Sequence, residues 1–395
     1  MSQQFLVISG GELWLHEADG KSSQIISPFA KEMLQREADR QRTTSWKYAE
    51  REDSKGLIGP ALWGRGGGGD GNLAPARFLH VCKAGEPRTI YYVMNVGRTV
   101  GLFKYYLDEQ REIRLFHRQQ AQILGLAYLP QTRHVVLAIM HGDGTSHLEV
   151  YDEEGTQKGA ITHGDSIDAA PAAMPGAEAT VVYQSWGLAR NADSGAVVGL
   201  GQSAVHWVDY KAGEMDSLLD DAAWDFVAPR ISEDRVLYSI RRPADKPLHE
   251  KAGGAAKDAF LMPLRLGKAV FGYLNVFSML YGKEPLRSAG GPRTPELDQD
   301  LGTLWLHGRR IELSKVRNDP EYAGNLVPAS WKLIAQTGRN AAAEEIASHV
   351  AQFDVLADGA LLYSNGYDIY HWQRGNARKL ARRELVEGLL GIAPP

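Results

Sequence analysis

The sequence predicts an all-β fold, a six-bladed β-propeller, and three observations carry that prediction. A short aromatic or aliphatic strand running into a polar turn recurs as Glu12-Leu-Trp-Leu-His-Glu17, Leu102-Phe-Lys-Tyr-Tyr-Leu107, Leu148-Glu-Val-Tyr-Asp-Glu153, Val205-His-Trp-Val-Asp-Tyr210, Leu304-Trp-Leu-His-Gly308 and Ile369-Tyr-His-Trp-Gln373. Most copies are preceded by two further strands separated by turn residues, so the repeating unit holds four short strands. The chain also carries 42 glycines, as a fold with many tight turns requires.

In chain order, the first unit offers Phe5-Leu-Val-Ile8, the Trp14 strand and Gln24-Ile-Ile26, but no innermost strand. Ser27 is placed to cap a helix and Pro28 fits its first position, so residues 28–45 read as a helical insertion. The second unit is complete, from Ala76-Arg-Phe-Leu-His-Val-Cys82 to Ile113-Arg-Leu-Phe116. The third begins with Ile123-Leu-Gly-Leu-Ala-Tyr-Leu-Pro130 and the fourth with Ile167-Asp-Ala-Ala-Pro-Ala-Ala-Met174. Trp224-Asp-Phe-Val-Ala-Pro-Arg-Ile-Ser232 and Val236-Leu-Tyr-Ser-Ile240 open the fifth, with the Trp305 strand expected as its third. Between them, residues 249–300 read as an apolar insertion with helical spacing at Leu266, Val270, Leu274 and Phe277. Residues 317–347 read as a helical linker to the sixth unit, which starts at Val350-Ala-Gln-Phe-Asp-Val-Leu356.

After the sixth unit the chain continues Val386-Glu-Gly-Leu-Leu-Gly-Ile-Ala393, resembling the inner strand 123–130. It is expected to supply the missing strand of the first blade and so close the ring within a single domain, 1–395. A seven-bladed count is the alternative, if the Trp46 or Trp331 region adds strands.

The stretches Pro229-Arg-Ile-Ser-Glu-Asp-Arg-Val-Leu-Tyr-Ser239 and Asp358-Gly-Ala-Leu-Leu-Tyr-Ser364 resemble the strand–turn–strand signature of TolB-like and WD40-like β-propellers. That resemblance implies the fold and says little about activity. Near the N-terminus, Gly10-Gly-Glu-Leu-Trp-Leu15, Ser27-Pro-Phe-Ala-Lys-Glu32, Trp46-Lys47 and Ala61-Leu-Trp-Gly64 are similar to bacterial propeller proteins of the MoxR ATPase–von Willebrand A (vWA) ternary systems. The similarity implies a recognition module working beside an AAA+ ATPase or a vWA protein.

A net charge of −4 does not fit a dedicated nucleic-acid binder. One cysteine, Cys82, asks for no oxidising compartment, no apolar run is long enough for a membrane span, and a cytoplasmic location is the default expectation. Gly64-Arg-Gly-Gly-Gly-Gly-Asp-Gly-Asn72 lacks the Lys-Ser/Thr of a phosphate loop, and no Gly-x-Ser-x-Gly occurs. The pair His141-Gly-Asp-Gly144 and His163-Gly-Asp-Ser166 has metal-ligand residue types, but tight turns need the same residues. No cofactor is expected.

The expected function is therefore non-catalytic: a scaffold or recognition module for another protein. Its candidate partner surface is Phe260, Leu264, Phe271 and Phe277 of the insertion, with Trp46 and Trp331 in their matching Ser-Trp-Lys contexts. The rival is a propeller enzyme, a metal-assisted hydrolase or lactonase, using Asp168, Asp225 and Asp354 from three inner strands as oxygen ligands. A peptide-binding platform at the mouth of the funnel is a third class, which the sequence does not separate from the scaffold.

Overall fold

Antiparallel hairpins dominate the computed structural model, which describes residues 3–49, 76–244 and 303–392 apart from positions 98, 120, 192–194, 196, 339 and 340. Strands β1 (Gln4–Ser9), β2 (Glu12–His16) and β3 (Ser22–Ile25) precede helix α1 (Pro28–Ala49). β4 (Arg77–Lys83), β5 (Thr89–Val96), β6 (Thr99–Tyr106) and β7 (Arg111–Gln119) form a four-stranded meander. The next two meanders are β8 (Gln122–Leu129), β9 (His134–Met140), β10 (Ser146–Tyr151) and β11 (Gln157–Ala160), then β12 (Ser166–Ala173), β13 (Thr180–Arg190), β14 (Val197–Asp209) and β15 (Glu214–Leu219). A parallel bridge, Ser146 with Ile167, joins those two.

β16 (Trp224–Ile231) and β17 (Leu237–Pro243) are followed by a separate hairpin, β18 (Thr303–Leu306) with β19 (Arg309–Glu312), and by the short helix α2 (Leu313–Asn318). Only then do β20 (Lys332–Gln336) and β21 (Glu344–Ser348) complete the sheet β16-β17-β20-β21. β22 (Gln352–Val355), β23 (Leu361–Ser364), β24 (Asp368–Gln373) and β25 (Asn376–Arg382) make the last meander, and β26 (Val386–Ile392) returns to pair with β1. That pairing is antiparallel, from Gln4 opposite Ile392 to Ser9 opposite Val386.

Burial grades from strand to strand for a simple reason. The second strand of a meander has neighbours on both edges and both faces, so all eight residues of β5 are buried. Outer strands such as β7 and β25 are mostly exposed, and the basic run 374–383 lies largely on β25 as a solvated edge. The aromatic hairpins serve packing: Tyr91, Tyr92, Phe103 and Tyr151 are fully buried. First strands lie against one another in succession: β4 touches β8, β8 touches β12, β12 touches β16, β16 touches β22, β22 touches β26, and β26 touches β4. Where β8 meets β12 there is no room for a side chain; a Cβ on Gly125 would stand 2.7 Å from the Ala170 amide nitrogen.

The start of α1 follows the cap read from sequence, since Ser27 Oγ accepts the Ala30 N–H at 3.1 Å. Glu112 of β7 accepts the Phe29 N–H at 3.1 Å, and the Phe29 ring packs 5.2 Å from Phe103. Two expectations for the fifth unit need correction. Residues 304–308 do not form its third strand, because they belong to the separate β18–β19 hairpin. Residues 317–347 are not a helical linker, because they hold β20 and β21. Leu333 and Ile334 are buried between neighbouring sheets, and that burial selects β20 over the equally strand-like Leu304-Trp-Leu. The Trp331 region thus completes the sheet begun by β16 and β17, whereas residues 50–64 of the Trp46 region lie outside the described residues.

Candidate functional site

First strands of the sheets surround a central cavity of about 210 Å³. Its wall is built by residues 77–81 of β4, 124–126 of β8, 169–171 of β12, Ala228 and Arg230 of β16, Gln352 and Phe353 of β22, and 387–389 of β26. The β18–β19 hairpin supplies another wall through residues 304–308. Several of these strands carry a bulge at the cavity: the register shifts between Phe78 and His80, Ile123 and Gly125, Ala169 and Ala172, and Val227 and Arg230. Ala170 (φ 47°) and Ala228 (φ 54°) sit at two of them in the left-handed region, each followed by proline, so the ladder is interrupted where the wall turns inward.

The polar groups of the wall are arranged in pairs. Arg77 Nη2 meets Glu387 Oε1 at 2.7 Å, and the other Glu387 oxygen accepts the Gly11 N–H at 2.6 Å. Burial raises the Glu387 carboxyl above its ordinary range, against the pull of Arg77. His80 Nε2 stands 2.9 Å from the Ile123 carbonyl and His307 Nε2 2.8 Å from the Ala351 carbonyl. A carbonyl only accepts, so both Nε2 atoms carry the proton. Burial pushes each imidazole down to about 4, with the Arg230 guanidinium adding to the effect and the carbonyl bond opposing it. His16, on β2, is likewise pushed down to about 4 by burial and by Arg383.

These three histidines give the fold a pH dependence with a definite sign. Their folded pKa values lie below the unfolded value near 6.5, so the unfolded chain takes up more protons as pH falls from 6.5 to about 4. Stability is complete above that window and falls within it, by roughly 1–2 kcal/mol per ring at pH 5. Urea midpoints at pH 8 and pH 5 check this: His307→Gln is expected to drop less between the two than the parent chain, and an equal drop would contradict the assignment.

The aspartates proposed as metal ligands are brought near the cavity but not together. Asp168 accepts from Ser185 Oγ at 2.7 Å. Asp225 accepts the Ser203 N–H at 2.9 Å and faces Arg242 Nε at 3.2 Å and Arg309 Nη2 at 3.1 Å. Asp354 accepts the Gly391 N–H at 2.8 Å. Each is buried and satisfied by a protein donor, and each tethers its inner strand to neighbouring structure. Among the described residues no three His, Cys, Asp or Glu side chains stand close enough to hold one metal ion. The Asp168–Asp225–Asp354 site is therefore not assembled.

The first histidine motif, 141–144, is a turn. Asp143 Oδ1 accepts both the Thr145 N–H and its hydroxyl, at 3.0 and 2.7 Å, and Gly144 has φ 86°. The histidine rings do gather, His141 to His147 at 5.2 Å and His147 to His163 at 6.0 Å between centroids.

Trp331 is buried, with the Arg242 guanidinium 4.7 Å from its ring centre, so it pins the fold and presents nothing to a partner. Trp46 lies in α1; Phe260, Leu264, Phe271 and Phe277 lie outside the described residues. Sequence reasoning missed Arg77, His80, Arg230, His307 and Glu387. A signal was available for Arg230, an isolated cation after Ala-Pro in an otherwise apolar stretch.

No protein-family model matches this chain, and no curated protein matches it in sequence. Among solved structures it is similar to TolB from Acinetobacter baumannii, at 8% identity over 98% of this chain and 67% of that one, with a TM-score of 0.51. It is similar to a chain of the nidogen/laminin complex at 7% identity, covering 98% of this chain and 97% of that one, TM-score 0.50. The putative TolB from Agrobacterium tumefaciens matches at 9% identity over 81% of this chain and 90% of that one, TM-score 0.44. At such identities the likeness is one of fold alone, that of a β-propeller.

Proposed function

We propose that this chain is a non-catalytic recognition module, a six-bladed ring that presents a protein-binding segment at one mouth of its central cavity. The succession of first-strand contacts and the β26–β1 pairing support the six-bladed, closed reading. The carrying observation is a tie between the described residues on either side of positions 245–302, residues 242–243 and residues 306–309. Arg309 Nη2 donates to the Pro243 carbonyl at 2.8 Å, while Arg242 donates to the carbonyls of Leu306 and His307 at 3.4 and 2.8 Å. Such a tie gives a fixed base beside a segment whose sequence is rich in Phe, Leu and Tyr.

Phe260, Leu264, Phe271 and Phe277 are the partner-facing residues in this reading, with Trp46 as a second anchor. The N-terminal motifs favour an AAA+ ATPase of the MoxR type or a vWA protein as partner, in the cytoplasm. The rival metal-assisted hydrolase is disfavoured by the donor set, because its three aspartates already hold Ser185, Ser203, Arg242, Arg309 and Gly391. Affinity purification from the native host, with the full chain and with residues 253–291 deleted, tests the proposal. The deleted chain is expected to keep its unfolding midpoint and to lose its partner. If it folds and retains every partner, the segment is only a cap and the reading is wrong.

A further inference from the structure

We propose that the central cavity binds one organic carboxylate, its charged end on the guanidinium of Arg230 and its apolar body against the strand walls. This site goes beyond the partner reading and does not depend on it. The cavity wall carries three full charges, and two of them cancel: Arg77 and Glu387 are paired at 2.7 Å. Arg230 is the third, and the buried Asp354 stands across from it as a counter-charge. Arg230 Nη1 donates to the Pro229 carbonyl of its own strand at 2.8 Å, while its Nε stands 3.8 Å from Asp354 Oδ1, beyond hydrogen-bond reach. The second Asp354 oxygen is taken by the Gly391 N–H. The Arg230 side chain keeps 32% of its exposure, on a strand whose bulge directs it to the cavity. A guanidinium has five N–H donors in a planar fork matched to the two oxygens of a carboxylate.

The surroundings choose among anions. Beside Arg230 stand His80 and His307, both neutral with their Nε2–H groups committed to backbone carbonyls. Further charges are therefore not offered, as a multiply charged phosphate would demand. Leu124, Trp186 and Phe353 contribute apolar surface to the same cavity. A volume of about 210 Å³ exceeds the ~150 Å³ that accommodates benzene in an apolar protein cavity. The ligand class is a monocarboxylate with a small aromatic or branched body. Two sources share that chemistry, a free organic acid and the C-terminal carboxylate of a polypeptide ending in an apolar residue.

Titration calorimetry on the full chain tests this with 3-phenylpropionate, N-acetylphenylalanine, N-acetylphenylalanine amide and inorganic phosphate. Both carboxylates are expected to bind, with the amide and phosphate about tenfold weaker or more, the loss expected for a charge-assisted pair. Arg230→Gln is expected to lose carboxylate binding by a similar factor. Arg230→Lys, which keeps the charge without the fork, should fall between the two. Far-ultraviolet circular dichroism and urea midpoints of both variants separate loss of the site from loss of the fold; if Arg230→Gln unfolds, Arg230→Lys decides. Tighter binding of N-acetylphenylalanine than of 3-phenylpropionate identifies a chain terminus as the source, and the reverse a free acid. The proposal is overturned if the amide binds as well as the acid, if phosphate binds better than both acids, if a folded Arg230 variant binds like the parent, or if no carboxylate binds at about 10 mM.

Discussion

A chain ending at Leu385 is expected to lose its cooperative unfolding transition. The deletion removes β26, whose Val386, Leu389, Leu390 and Ile392 are all buried. Losing a buried aliphatic side chain costs roughly 2–4 kcal/mol, so these four together approach or exceed the ~5–15 kcal/mol that holds a typical domain. The backbone ladder between β1 and β26 is lost as well. β1 would present an unpaired edge of buried residues, Phe5, Leu6, Val7 and Ile8, to solvent or to another chain. Two long-range tethers go with the strand: the Glu387 bonds to Gly11 and Arg77, and the Gly391 N–H that satisfies Asp354. Near-ultraviolet circular dichroism and size exclusion of the truncated chain measure the outcome, with aggregation or a featureless spectrum expected. A synthetic peptide of residues 384–395 added during refolding should restore part of the signal. A truncated monomer with the parent's urea midpoint would show that β26 is dispensable and that the ring is not closed through it.

Replacing Arg242 by Met is expected to cost about 3–5 kcal/mol, the range for breaking a buried ion pair by removing one partner. Arg242 is 1% exposed and joins four parts of the fold. Its Nε faces Asp225 of β16 at 3.2 Å, its Nη atoms donate to the Leu306 and His307 carbonyls of the β18–β19 hairpin, and its plane covers Trp331. Methionine fills the stem's volume but leaves Asp225 buried beside Arg309 and the Ser203 N–H, with two hairpin carbonyls losing a donor. Arg242→Met/Asp225→Asn is expected to recover part of the loss, because the carboxylate that lost Arg242 is removed together with it. Urea denaturation of the two variants checks this. A single-variant loss below about 1 kcal/mol, or a double variant with additive losses, would show that the ion pair does not organise the hairpin's root.

Some of this architecture could be read directly. Ser27 and Pro28 announce a helix start because capping needs only neighbouring atoms. The return of β26 to β1 was legible because β1 begins a unit short of one strand, and Val386-Glu-Gly-Leu-Leu-Gly-Ile has the buried run of an inner strand. Leu304-Trp-Leu was misread because its local pattern equals that of a third blade strand; Leu333 and Ile334 displaced it only through burial against other sheets. The partners of the aspartates were hidden for the same reason. Asp168, Asp225 and Asp354 recur at similar inner-strand positions, and nothing nearby in sequence shows that their partners are Ser185, Arg242 with Arg309, and Gly391.

The unit of construction is a local matter: strand length, alternation, turn position and helix cap all arise from side chains within a few residues of one another. The β26–β1 pairing was legible too, since the first unit lacks a strand and Val386–Ile392 has the apolar run of an inner one. Which charges are committed and which face the cavity depends instead on contacts between distant strands. His80 and Arg230 are 150 residues apart in sequence yet share one wall, and Arg77 meets Glu387 across 310. Their protonation and pairing depend on that convergence, because burial and the nearest opposite charge set the energy of an ionised group, and both are supplied by distant strands.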